Sequence, residues 1–322
     1  MTKPLARREV SILSPLRYPG AKRRLAGYLA EVLRINSLRP KLFVEPFAGG
    51  ASVALQLLND GLVEAIALGE RDPLVASFWK VVFSDAEWLI KKIKTIPITL
   101  ENWDYFRANS FRSHRERALA CIFLNRTNFS GILTRNAGPI GGRSQRSEYK
   151  IDCRFTVETI VKRIRQARGL RRRVYFVDNA DWKETINKVE SLRFEHGDVF
   201  YYLDPPFYKK AKRLYEYHFM DEDHVRLHNT LGQVDQPWVL SYDPVKSILG
   251  MYSHNGCGPK HIDLLYSAAA GNLVEARELV ITNLTRLPKE TRLWRSSTEW
   301  RSNRGESFGR KGTNSIARGH PS

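Results

Sequence analysis

Apolar positions along the chain alternate between two rhythms: short unbroken runs that end in an acid, and longer stretches with helical spacing. After the Pro-Gly turn of "PLRYPGAK", Leu25, Leu29, Val32 and Leu33 fall on one face of a predicted helix. Leu42–Val44 then reads as a buried strand, and Phe47–Ala51 as a tight turn of small residues. Ser52 is placed to cap a helix running to about Asn59, with Gly61 just past its end. "EAIALGERDP" predicts a second buried strand ending in acids, and a helix follows from Leu74 to Phe83. Between residues 84 and 170 the alternation stops. Helices are predicted at roughly 86–95 and 115–125, around a polar loop, "NRTNFSGILTRNAGPIGGRSQRSEYK".

After residue 170 the alternation returns. "RVYFVDNADWKETI" reads as strand then helix, and "DVFYYLDPPF" as a strand. "DEDHVRLHNTLGQV" is a helix with acids in its first turn, where the helix dipole favours them. "PWVLSYD" is a strand, and "HIDLLYSAA" and "ELVITNL" form a final strand pair. Buried strands alternating with helices predict an open α/β sheet. Residues 1–84 and 171–285 would form that unit, and 85–170 an inserted domain.

Charge adds a partner to this picture. The net charge is +18, which suits a polyanion, nucleic acid ahead of a membrane surface. Residues 286–322 are poor in aliphatics and carry nine Lys and Arg against three Glu, so a disordered basic tail is expected. Cys121, Cys153 and Cys257 stand far apart with no Cys-x-x-Cys pair, which argues against a zinc site and fits a reducing compartment. No metal is expected, and His218, His224, His228 and Trp238 read as structural. The start lacks an apolar signal region and no window is long enough to span a bilayer, so a soluble, cytoplasmic, nucleoid-associated protein is expected.

In an open α/β sheet, ligands bind beyond the carboxyl ends of the strands. Glu45, Glu70 and Asp204 end predicted strands, and Asp181 lies just past a fourth. "EPFAGGAS" is a strand, turn and helix whose Gly49 and Gly50 let backbone approach a ligand. It lacks the Gly-Lys-Ser/Thr end of a phosphate loop, and Glu45 suits a cationic or amine-bearing ligand instead. Glu70 is placed to accept from ribose hydroxyls. In "DPPF", Pro205 and Pro206 fix φ and lack N–H groups, so their carbonyls face outward as acceptors. An acid and a carbonyl beside Phe207 make a site for a flat ring bearing an exocyclic amine.

With these motifs in this order, the chain resembles the Dam-type DNA adenine-N6 methyltransferases over about residues 15–284. That family inserts its recognition domain before the catalytic motif. The resemblance implies a Rossmann-like S-adenosylmethionine (SAM)-dependent methyltransferase sheet with a helical and hairpin DNA-recognition insert. "RYPGAK" looks like the cofactor motif and would put Tyr18 and Lys22 at the SAM pocket. "EPFAGGAS" looks like the motif that holds the methionine part, through Glu45, Phe47, Gly49 and Gly50. Glu70 in "GERDP" matches the ribose-binding acid, with Asp72 as the alternative. Asp181 matches the acid that contacts the cofactor adenine, and Trp182 would flank it. "DPPF" matches the catalytic motif, Asp204, Pro205, Pro206 and Phe207, with Phe207 where the family usually has tyrosine; Asp204 also borders the cofactor. "LNRTNFSG" resembles the entrance to the DNA-reading hairpin.

The implied reaction is methylation of a flipped-out adenine. The implied partner is double-stranded DNA, bound by a monomer or weak dimer. Asp204 and the Pro205 carbonyl would accept both N6 hydrogens, and Phe207 would hold the ring. Arg126, Asn128, Phe129, Arg135, Asn136, Arg143 and Arg146 are the candidate DNA contacts, most of them to phosphate. An RNA-base N6 methyltransferase and a DNA-binding protein on a decayed methyltransferase fold are the rivals; cytosine-N4 chemistry usually has Ser in place of Asp204.

Overall fold

The computed structural model describes residues 14–17, 23–208, 217, 219–254, 256, 258–267, 273–291 and 293. Seven strands form one sheet: β1 (Leu42–Glu45), β2 (Ala65–Glu70), β3 (Val174–Asn179), β4 (Val199–Leu203), β5 (Trp238–Tyr242), β6 (Lys260–Ser267) and β7 (Leu273–Thr282). Their order is β3-β2-β1-β4-β5-β7-β6. The first five are parallel, and β7 runs antiparallel to both β5 and β6. The expected open α/β sheet is therefore present, Rossmann-like and closed by an antiparallel pair.

The apolar runs are unbroken because both faces of the sheet are covered. Phe43, Ile66, Leu68, Phe200 and Val239 face one core; Leu42, Val44, Tyr201, Leu203, Trp238 and Leu240 face the other. Phe43 and Phe200 stack across β1 and β4 with ring centroids 5.8 Å apart. Helices α1 (Arg23–Ile35), α2 (Ser52–Asn59) and α3 (Pro73–Ser84) cover the first face; α8 (Trp182–Glu190), α9 (Asp221–Leu231) and α10 (Lys246–Met251) cover the second.

Gly69 in β2 lets α8 approach the sheet. A Cβ there would lie 2.1 Å from Thr185 Oγ1. Gly69→Val is expected to cost about 1–3 kcal/mol through overpacking, read as a lower urea midpoint.

Four helices fill the middle block: α4 (Ala86–Thr95), α5 (Leu100–Ala108), α6 (His114–Thr127) and α7 (Val157–Gly169). They do not build a core of their own. Leu89, Ile93, Phe106, Ile122, Phe123 and Ile164 join the same cluster as α1, α2 and α3. α6 is buried from Ala120 through Thr127, which makes it a central helix of that layer. The polar loop after it is closed by one isolated bridge, Asn128 to Pro139, rather than by strands. Phe129 N–H donates to the Gly138 carbonyl (2.9 Å) and Ile140 N–H to that of Thr127 (2.8 Å).

Two local expectations need correction. α2 begins at Ser52, but its cap is Ala51, left-handed at φ 47°, and no side chain of the turn caps it. The chain also stays with the sheet beyond residue 285: Asp263 N–H donates to the Thr291 carbonyl (2.8 Å), and Leu293 N–H to that of Asp263 (3.1 Å). Residue 292, residues 294–322 of the expected tail, and the arm at 1–13 lie outside the described residues.

Candidate active site

The parallel register aligns the strand-end acids in a step pattern. Glu45 ends β1 opposite Leu68, so Glu70 lies two residues further along β2. Val44 pairs with Tyr201, so Asp204 extends beyond Glu45 on the other side. At about 3.3 Å per residue and about 4.8 Å between strands, Glu70 and Asp204 flank the β1 tip roughly 10 Å apart. Here the strand order reverses, between β1 and β4, and a crevice opens.

Each acid is held by backbone. Glu45, 3% exposed, accepts from Ala54 N–H at 3.0 Å and so caps α2 from the strand below. Burial pushes its carboxyl up to about 8, and the Asp204 charge adds to the shift. Glu70 accepts from Gly49 N–H and Asp72 N–H, both at 2.8 Å. Burial, with the Asp72 charge, pushes Glu70 up to about 7. Asp72 itself caps α3 by accepting from Leu74 N–H (2.8 Å). Of the two acids in the motif, Glu70 accepts from the Gly49 turn and Asp72 caps α3.

That turn is fastened on three sides. Gly49 sits at φ 44°, and Gly50 is buried beside it. The Gly49 carbonyl accepts from Trp79 Nε1–H (2.8 Å), and Ala48 N–H donates to the Gly69 carbonyl (3.0 Å). Phe47 is half-buried and stacks on Trp182, centroids 6.4 Å apart, with Phe219 edge-on at 5.6 Å. Trp182 is buried, and its Nε1–H has no hydrogen-bond partner among the described residues. Asp181 caps α8: it accepts from Lys183 N–H (2.8 Å), while Glu184 accepts from Asp181 N–H (2.8 Å). The crevice thus brings together Glu45, Phe47, Gly49, Gly50 and Glu70, with Trp182 against Phe47. Tyr18 and Lys22 lie outside the described residues.

Asp204 is half-buried at the end of β4, followed by buried Pro205 and half-buried Pro206 and Phe207. Its Oδ1 accepts from Ser241 Oγ–H (2.9 Å), and Asp243 Oδ1 accepts from Tyr208 N–H (2.9 Å). Below the loop, the Tyr208 and His224 rings lie 4.7 Å apart, and His224 Nδ1 is 2.6 Å from the Tyr242 hydroxyl. Sequence reasoning missed Ser241, Asp243 and Trp79. A polar Ser inside the apolar run "WVLSY" was the available signal.

The candidate DNA residues divide by exposure. Phe129 is 57% exposed at the loop root, and Arg135, Asn136, Arg143 and Arg146 are exposed. Arg143 pairs with Asp104 (2.6 Å) and lies over the Trp103 ring. Asn128 is buried: its Oδ1 accepts from Trp103 Nε1–H (2.7 Å) and its Nδ2 donates to the Ile132 carbonyl (2.6 Å). Arg126 is also buried and donates to the Pro15 carbonyl, and its Nε–H has no partner among the described residues. Burial and the charges of Arg163 and Arg17 lower it to about 9. Asn128 and Arg126 are both candidate DNA contacts by sequence, and the structure buries both side chains.

Among the described residues no group of three His, Cys, Asp or Glu side chains is placed to hold a metal, and no helix is long and apolar enough to cross a membrane. The family model of the D12 class N6 adenine-specific DNA methyltransferases matches residues 18–266, most of the 322-residue chain. The chain belongs to this family. Comparison with individually curated proteins gave no match. The protein is thus a SAM-dependent methyltransferase that modifies adenine N6 at specific sites in DNA. The matched span runs from the α1 region into β6, so the methyltransferase region includes every acid of the crevice.

Proposed function

We propose that this methyltransferase is of the Dam type and works in the crevice between β1 and β4. SAM supplies a methyl group activated on a sulfonium. Glu45, Phe47, Gly49, Gly50, Glu70, Asp181, Trp182 and Asp204 would hold it, with Tyr18 and Lys22 from the adjoining motif. Two buried acids, a glycine turn at positive φ and a half-buried aromatic stack suit a cationic ligand with ribose hydroxyls and a flat base.

Adenine N6 is a poor nucleophile because its lone pair is delocalised into the ring. Asp204 and the Pro205 carbonyl accept its two hydrogens. That favours a pyramidal nitrogen with a localised lone pair. Both acceptors face the positive charge that grows on nitrogen, so the stabilisation is electrostatic. Phe207 stacks on the flipped base. The observation that carries this reading is the Asp204 carboxylate beyond the β4 tip, held by the Ser241 hydroxyl at 2.9 Å, on the strand beside the β1 turn.

Double-stranded DNA would lie against Phe129, Arg135, Asn136, Arg143 and Arg146. Arg126, buried and bonded to the Pro15 carbonyl, would position α6 beneath that surface. Asn128 holds the loop root in place. Arg146→Ala is expected to lower the slope of log K against log salt for DNA binding by about 1. A monomer or weak dimer in the cytoplasm, with the nucleoid, fits this role.

The test is nucleoside analysis of unmethylated plasmid DNA after incubation with protein and SAM, beside a structured RNA substrate. N6-methyladenine in DNA alone supports the proposal; methyl transfer to RNA alone overturns it.

A further inference from the structure

We propose that β5 braces the catalytic segment from outside: Ser241 is a positioning residue that sets the rotation of the Asp204 carboxylate, and Asp243 anchors the segment at Tyr208. The proposal rests on Asp204 being the acceptor for the adenine amine.

The segment from Asp204 to Tyr208 has few backbone donors with which to tie itself down. Pro205 and Pro206 contribute no N–H, so between Asp204 and Tyr208 only Phe207 retains one. A loop whose acceptor must be aligned to within a fraction of an ångström then needs anchors from another element. β5 supplies two of them. Leu203 pairs with Leu240, so the parallel register carries Ser241 alongside Asp204. Asp243 follows two residues later and accepts from Tyr208 N–H at 2.9 Å. One strand end therefore grips the Asp204–Tyr208 segment at both of its ends.

The hydrogen bonds around Ser241 run in one direction. Ser241 is 1% exposed in a strand that is buried throughout, where an unpaired hydroxyl would be costly. Its single proton goes to Asp204 Oδ1 at 2.9 Å; the alternative acceptor, the Leu203 carbonyl, is 3.5 Å away. The Tyr202 hydroxyl is 3.1 Å from Ser241 Oγ. With the Ser241 proton committed, Tyr202 is the donor in that pair. The chain is Tyr202 O–H to Ser241 O–H to Asp204 Oδ1, and bonds in such a series polarise one another. Tyr202 is rooted in β4 at 3% exposure. The carboxylate plane is thereby tied to the sheet.

The experiment is single-turnover methyl transfer at saturating DNA and SAM, with SAM and DNA dissociation constants and melting temperatures measured on the same full-length variants. Ser241→Ala is expected to slow transfer about 10- to 100-fold while both dissociation constants stay within about 3-fold. Ser241→Thr keeps the hydroxyl and is expected to recover most of the rate. Asp243→Ala should resemble Ser241→Ala, whereas Asp243→Asn keeps an acceptor oxygen and should stay within about 3-fold of wild type. An unchanged rate in Ser241→Ala overturns the brace, as does an equal loss in the Ala and Thr variants, which would assign Ser241 to packing. Asp204→Ala runs alongside. If it retains transfer, the acceptor assignment fails and the brace with it. If it loses transfer while Ser241→Ala does not, only the brace fails.

Discussion

Asp204→Ala is expected to slow methyl transfer about 10³-fold, on the order of 4 kcal/mol in the barrier. The effect falls on chemistry rather than on folding. Asp204 is half-buried and its charge opposes ionisation of Glu45, so its removal eases that ionisation instead of stranding a buried charge. The Ser241 hydroxyl, left without its acceptor, has the Leu203 carbonyl 3.5 Å away. Cofactor affinity is expected to fall far less than the rate, because Asp204 is one of several groups that would hold SAM and the Gly49 turn is fastened independently to β2 and α3. Asp204→Asn is the sharper probe. It keeps an acceptor oxygen but adds an N–H pair facing the substrate amine, and it is expected to lose about 10²-fold or more. Single-turnover transfer with SAM binding measured separately distinguishes these cases. A rate within 10-fold of wild type in both variants would leave the Pro205 carbonyl as the working acceptor and remove Asp204 from its role.

The strands and their terminal acids were legible because parallel strands covered on both faces have to be apolar throughout. "LFVE", "AIALGE" and "VFYYLD" announce where the burial stops. The crevice follows from that spacing and from the reversal of strand order. The middle block reads as an insert because its helices follow one another without intervening strands. In the structure α4, α6 and α7 pack on α3, and α6, buried through "ACIFLNRT", joins the main core despite carrying Asn125, Arg126 and Thr127. Residue type alone cannot say that Asn128 spends its amide on Trp103 and Ile132, or that Phe129 beside it faces solvent. The cap on α2 was invisible for another reason. Its donor-acceptor pair joins Glu45 to Ala54 across a turn, and local capping rules look only at the residue before the helix.

The unliganded protein is expected to lose stability as pH rises from about 4.5 to about 8, and Glu45→Gln with Glu70→Gln to abolish most of that loss. Both carboxyls are raised in the folded state, Glu45 to about 8 and Glu70 to about 7, while the unfolded chain ionises them near the ordinary value. Between those limits the folded state holds protons that the unfolded state has released. The stabilising difference is complete below about 4.5 and is lost as pH climbs through about 7 and then about 8. At about 1.4 kcal/mol per unit, the losses reach at most about 3 kcal/mol for Glu70 and about 5 for Glu45. The Gln amide retains an acceptor oxygen for the Ala54, Gly49 and Asp72 N–H groups, so the turn should survive substitution. Urea midpoints at pH 5 and pH 8.5 provide the measurement: wild type falls between them, and the double variant stays nearly level. A wild-type profile that is flat or rising over this interval would mean that water reaches both carboxyls and that neither is desolvated. A falling profile has a functional corollary. A cationic cofactor that needs these acids ionised releases protons as it binds, so its affinity should rise over the same pH interval in wild type and not in the double variant. The acids that weaken the empty fold at pH 8 would then be the ones the cofactor stabilises.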